Sequence, residues 1–83
     1  HMQLEQLLVA IYLIKSTWAM ENKLKELRLQ SKVSQSALAD ALSVSRQTIN
    51  SIENGKFDPS LTLAMKLTRF FKVSLDEIFI YKD

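Results

Sequence analysis

Leu38, Ala39 and Leu42, and then Ile49 and Ile52, stand at helical spacings on either side of Val44. That rhythm predicts two short helices joined by a tight turn, with small Ala39 where they approach most closely. Around this centre the same period predicts three more. A first core helix runs from Asn22 or Lys23 to Gln30, with Leu24 and Leu27 inward. Ser34 caps the helix from Gln35 to Leu42, and Ser45 caps the one from Arg46 to Asn54, which Gly55 ends in a left-handed conformation. Ser60 or Asp58 caps a fourth helix whose inward stripe is Leu61, Ala64, Leu67 and Phe71. Ser74 and Glu77 form the capping box of a fifth, anchored by Leu75 and Ile78. The fold class is all-α: five short helices with connections short enough for a compact bundle.

Residues 1–20 are read as a separate extension and residues 21–83 as the folded domain. Leu4, Leu7, Ile11, Ile14 and Trp18 alternate at spacings of three and four, the seam of a short coiled coil. Leu8, Val9, Tyr12 and Leu13 make this additional N-terminal helix apolar nearly all round, although its β-branched residues also permit a strand. The run from Leu7 to Ile14 is far shorter than the roughly 20 residues a membrane span needs, so no membrane partner is expected. Such a helix wants cover, which a second copy supplies. Two readings stay open: a dimer-forming arm, or sequence upstream of an original start at Met20. His1-Met2 is expected to be a cloning remnant.

Composition narrows the chemistry. Eighty-three residues sustain one small core. There is no Cys and His1 is the only His, so neither a disulfide nor a zinc site is expected. Gly55 and Pro59 are the only residues of their kinds, in keeping with a nearly all-helical chain. Net charge is only +2. The excess is local, however: between Asn22 and Phe57, Lys23, Lys25, Arg28, Lys32, Arg46 and Lys56 outnumber Glu26, Asp40 and Glu53. Taken alone, so modest an excess is an ordinary solvated face; on this motif it suits phosphate attraction.

At 100° per residue, Arg46, Gln47, Asn50, Ser51 and Asn54 share an arc of about 140°, with Ile49 and Ile52 outside it. One face docks and the other carries base-reading side chains. Arg donates two hydrogen bonds to guanine, and Gln or Asn pairs with adenine. Arg46, Gln47, Asn50 and Ser51, in the first turns, are the candidate base-readers. Gln35 opens the preceding helix, where backbone N–H groups and the dipole favour an anion. With Ser45, Asn54 and Lys56 it completes the candidate phosphate contacts. Each of these residues alone is equally an ordinary exposed polar group; it is the set that points to DNA.

The segments S-Q-x-x-L-A, V-S-R-x-T-I, I-E-N-G-K and P-S-L resemble the helix-turn-helix regulators of the Cro/CI type, the XRE family, over Asn22 to Phe79. SVSRQTIN and LDEIFIYKD are especially similar to compact dimeric members of that family. The resemblance implies a five-helix, lambda-repressor-like domain, dimeric binding to a pseudo-palindromic operator, and repression. It also implies a short β-ribbon between the chain ends, here Trp18–Glu21 with Phe79–Lys82. By position, Gln35 matches a phosphate-binding glutamine, Arg46, Gln47, Asn50 and Ser51 match base-reading positions, and Arg28 and Glu53 match a structural ion pair. The turn that usually holds Gly holds Ser43, where a left-handed backbone costs a non-Gly residue about 1 kcal/mol or more.

The expected function is a homodimeric, sequence-specific transcriptional repressor acting on double-stranded DNA in the cytoplasm. The alternatives are a DNA-binding antitoxin or restriction-modification controller whose arm binds a partner protein, and an interaction module that has lost DNA binding. No cofactor or small-molecule substrate is expected. An enzyme is not expected either, for want of a usable His, a Cys, catalytically spaced carboxylates or a Gly-rich phosphate loop.

Overall fold

The computed structural model describes residues 3–9 and 20–82, and residues 4–9 are helical. After them come β1 (Glu21–Asn22), α1 (Leu24–Gln30), α2 (Gln35–Leu42), α3 (Arg46–Glu53), α4 (Leu61–Phe71), α5 (Leu75–Ile78) and β2 (Phe79–Ile80). Ile11, Ile14 and Trp18 of the expected coiled-coil seam lie outside the described residues. Among the described residues no helix is long and apolar enough to cross a membrane.

The connections obey one local rule used three times. Lys32-Val33-Ser34, Ser43-Val44-Ser45 and Lys72-Val73-Ser74 each close one helix and open the next. The first residue of each triplet is left-handed, with φ of 57°, 59° and 57°. The valine N–H then bonds back to the preceding helix: Val33 to Arg28 O at 3.1 Å, Val44 to Ala39 O at 3.0 Å, Val73 to Thr68 O at 3.1 Å. Each valine side chain also packs against the core. These are Schellman closures with their hydrophobic anchor. Each serine then stands at the N-cap of the following helix. Ser34 Oγ accepts from Ala37 N at 3.0 Å and Ser45 Oγ from Thr48 N at 3.1 Å. Ser74 N–H donates to Glu77 Oε2 at 2.7 Å, the reciprocal half of a capping box. Ser43 therefore closes the central turn as glycine would. Gly55, with φ of 69°, does the same for α3.

Leu24, Leu38, Ala39, Leu42, Ile49, Ile52, Leu63, Ala64, Leu67, Ile78 and Phe79 form one core. Two sequence expectations are corrected here. Leu61, assigned to the inward stripe of α4, is 74% exposed, and Leu75, assigned as an anchor of α5, is 49% exposed. Leu63, Ala64 and Leu67 fill the inward side of α4 instead, and Ile78 alone anchors α5. In LTLAMKLTRFF either stripe satisfies a helical period, and contact with α2 and α5 decides between them. Helix ends also move slightly: α1 starts at Leu24 and α3 stops at Glu53.

Ser60 is the cap of α4, accepting from Leu63 N at 3.2 Å. Asp58, the other candidate, accepts from Met20 N at 2.8 Å and fastens the entry of the domain. The ribbon is antiparallel, with Glu21 opposite Ile80 and Asn22 opposite Phe79. It is two residues long on each side, its first strand ending at Asn22, one position beyond the Glu21 that the resemblance implied; Trp18 and Ala19 lie outside the described residues.

Candidate nucleic-acid interface

Ile49 and Ile52 are wholly buried and fix the rotation of α3. The wheel then turns Arg46 and Gln47 to solvent and leaves Asn50 and Ser51 half-buried. Ser45 precedes them, its hydroxyl engaged by Thr48 N and by Thr48 Oγ1 at 2.8 Å. Asn54 and Lys56 stand exposed beyond the far end of the helix. Gly55 N–H reaches Ile52 O at 3.0 Å and Lys56 N–H reaches Ser51 O at 3.0 Å, so the backbone carrying them is fixed.

Gln35 ties this surface together. Its Nε2 donates to Asn50 Oδ1 at 3.1 Å and to Glu53 Oε1 at 3.1 Å. Its Oε1 accepts from Arg46 Nη1 at 3.2 Å. The amide orientation follows from chemistry: a carboxylate only accepts and a guanidinium only donates, so nitrogen must face Glu53 and oxygen must face Arg46. Asn50 in turn presents Oδ1 to Gln35 and keeps Nδ2 for another partner. Arg46 and Asn50 are thus held in place within the chain, which lowers the ordering cost of any contact they make, about 0.5–1.5 kcal/mol for each long side chain.

Beneath Gln35 lies an ion pair. Arg28 Nε meets Glu53 Oε2 at 2.6 Å and Nη2 meets Oε1 at 3.2 Å, while Nη1 donates to Val33 O at 2.9 Å. Both side chains are nearly covered, 9% and 2% exposed. The hydrogen bonding that Arg28 donates to Glu53 raises the Arg28 pKa above its ordinary value, against desolvation and with the carboxylate's charge adding to the effect. The guanidinium spans α1, the α1–α2 turn and α3, so the orientation of α3 is set by a charge network and not by packing alone. Among the described residues no buried side-chain polar atom lacks a partner, the condition under which a buried network rigidifies.

Arg46, Asn50 and Gln35 are therefore in direct contact with one another, with Glu53 and Arg28 behind them. Gln47 and Ser51 share the face without joining the network, and Asn54 and Lys56 stand apart at its far end. One positioning residue was missed. Asn22 accepts from Leu24 N through Oδ1 at 3.1 Å and donates from Nδ2 to Ile52 O at 2.9 Å, bracing the end of α3. An Asn just ahead of a helix signals a cap, but its second bond crosses thirty residues of sequence.

Comparison with known proteins agrees with this geometry. A family profile described as helix-turn-helix matches residues 24–78. An uncharacterised HTH-type transcriptional regulator of Methanocaldococcus jannaschii is 55% identical over 64 residues, covering 77% of this chain and 97% of the relative. Another, YgzD of Bacillus subtilis, is 42% identical over 60 residues, 72% of this chain and 91% of the relative. The transcriptional activator BcrR of Enterococcus faecalis is 38% identical over 56 residues, which cover 68% of this chain but 28% of that protein. The chain belongs to the XRE-type helix-turn-helix family. It is a DNA-binding transcriptional regulator.

Proposed function

We propose that the protein is a homodimeric repressor that reads a pseudo-palindromic operator through α3. The observation that carries this reading is the Arg46–Gln35–Asn50 network, which presents a donor fork and an amide side by side on an exposed helix. Arg46, Gln47, Asn50 and Ser51 contact base edges in the major groove. Gln35, Ser45, Asn54 and Lys56 contact the flanking phosphates and fix register. Both hydrogens of Gln35 Nε2 are engaged within the network, so a phosphate on that nitrogen exchanges with Asn50 or Glu53. Two copies place their α3 helices about 34 Å apart, one turn of DNA. The protein acts on DNA in the cytoplasm, without a cofactor.

Selection of bound sequences from random DNA tests the whole reading. A palindromic consensus with half-sites one helical turn apart supports it, and a single unpaired half-site removes the dimer. Arg46→Ala is expected to weaken operator binding by about 1–3 kcal/mol and relax preference at one base pair in each half-site. Unchanged affinity and preference would take Arg46 out of the readout. Because BcrR bears the name of an activator, the sign of regulation needs its own measurement. A reporter whose promoter overlaps the selected site should fall in output when the protein is supplied; a rise overturns repression.

A further inference from the structure

Beside the ribbon, on a surface the DNA reading does not use, lies an open groove of about 570 Å³ lined by Met20, Leu61, Ala64, Leu75, Phe79 and Tyr81 among others. Two carboxylates stand at its edge, but Asp58 accepts from Met20 N and Asp76 from Ser74 Oγ, which leaves the lining itself apolar. Leu61, Leu75 and Tyr81 are exposed here. Leu61 and Leu75 are the leucines that a core would have taken had α4 and α5 been turned inward on them.

The same chain carries a second uncovered apolar surface. Residues 4–9 are helical, and Leu4, Leu7, Leu8 and Val9 are all exposed. Leu4, Leu7 and Leu8 share one face by the i, i+3, i+4 rule. A helix whose apolar side chains all face water is marginal until they pack on something. We propose that the groove of each copy receives the apolar helix of residues 4–9 from a second copy, by mutual exchange across a two-fold axis. This rests on the homodimer reading above and says where the dimer is made.

The placement of Met20 supports exchange. It lines the groove and is also where the arm joins the domain. Two copies set groove to groove therefore put the root of each arm beside the other's groove. One isologous contact fills both grooves and leaves no arm over, so the assembly closes at two. Reach is no obstacle, since the chain from Val9 to Met20 extends to at most about 40 Å.

The chain has no cysteine, so disulfide trapping on the full-length protein reads this directly. Leu4→Cys or Leu8→Cys chains, mixed with Leu61→Cys or Leu75→Cys chains, should give a mixed disulfide dimer in at least one combination. The yield should exceed that with Ser36→Cys, an exposed position on α2. Sedimentation of the cysteine-free Leu61→Asp/Leu75→Asp chain should show the dimer dissociation constant raised about tenfold to a hundredfold. A dimer with no mixed disulfide above the Ser36→Cys level, or one unaffected by the paired aspartates, overturns the groove while leaving the homodimer intact. A disulfide that forms only within the doubly substituted Leu8→Cys/Leu75→Cys chain also overturns it, since the arm then fills its own groove. A wild-type chain that stays monomeric at every concentration overturns both.

Discussion

The α2–α3 surface and the groove beside the ribbon are both open to water, but they meet it differently. On the first, polar side chains bond one another: Arg46 to Gln35, Gln35 to Asn50 and Glu53, Glu53 to Arg28. On the second, Leu61 and Leu75 have no such recourse, because an apolar surface is relieved only when another surface displaces its water. A polar face can be completed within one chain. An apolar face asks for a neighbour. This is why the α2–α3 surface is organised within a single copy, whereas the groove, in the dimer proposed above, is organised by a second one.

Substitutions that strike one surface and spare the other can break that contrast. The largest effect is expected for Glu53→Ala, which strands a buried guanidinium and should destabilise the domain by about 3–5 kcal/mol in urea unfolding. The Arg28 pKa is raised, so the bond's contribution is complete below the unfolded arginine's pKa and is lost only as pH climbs through the higher folded value. The deficit from Glu53→Ala should thus reflect no titration of Arg28 between pH 6 and 9. Next, Gln35→Ala should weaken binding to every sequence and also soften the preference read by Arg46, together about 1 kcal/mol in titrations on operator and scrambled DNA. A loss confined to the uniform term would mean that Gln35 grips phosphate without positioning Arg46.

Ser43→Gly is expected to stabilise the fold by about 1 kcal/mol in thermal or urea melts, because it relieves a left-handed residue at an exposed turn. A destabilised variant would show that Ser43 is held by more than its backbone. The smallest effect belongs to the groove. Leu61→Asp, measured below the dimerisation concentration, should shift monomer stability by less than about 0.5 kcal/mol. A larger loss would make Leu61 part of the core and dissolve the distinction between the two surfaces.

Much of the fold was legible because its signals are local. Serine caps, a left-handed Gly55 and helical runs of Leu, Ile and Ala each act within a turn or two, and the helices fall within two residues of where these signals put them. Of the three Val-Ser junctions, equally local, the left-handed residue was anticipated only at Ser43 and went unread at Lys32 and Lys72: a charged residue before Val-Ser does not advertise positive φ, although the valine anchor does once the pattern is seen. Leu61 and Leu75 failed differently. In α4 nearly every turn offers two apolar choices, so period alone could not choose the inward one. The polar face of α3 was legible from wheel geometry, whereas Gln35 and Asn22 reach α3 from other elements, and no spacing rule encodes those bonds.

The sequence by itself determined where helices start and stop, which face of α3 is polar, and the family to which the chain belongs, because these follow from neighbours within a few residues. Only the tertiary structure decided that Gln35 links Arg46 to the Arg28–Glu53 pair, that Asn22 braces Ile52, and that Leu61 and Leu75 face outward. Those outcomes depend on how rigid helices settle against one another. Burial of a particular side chain is a property of the packed whole: with Leu63, Leu67 and Ile78 in the core, Leu61 and Leu75 are left to the surface.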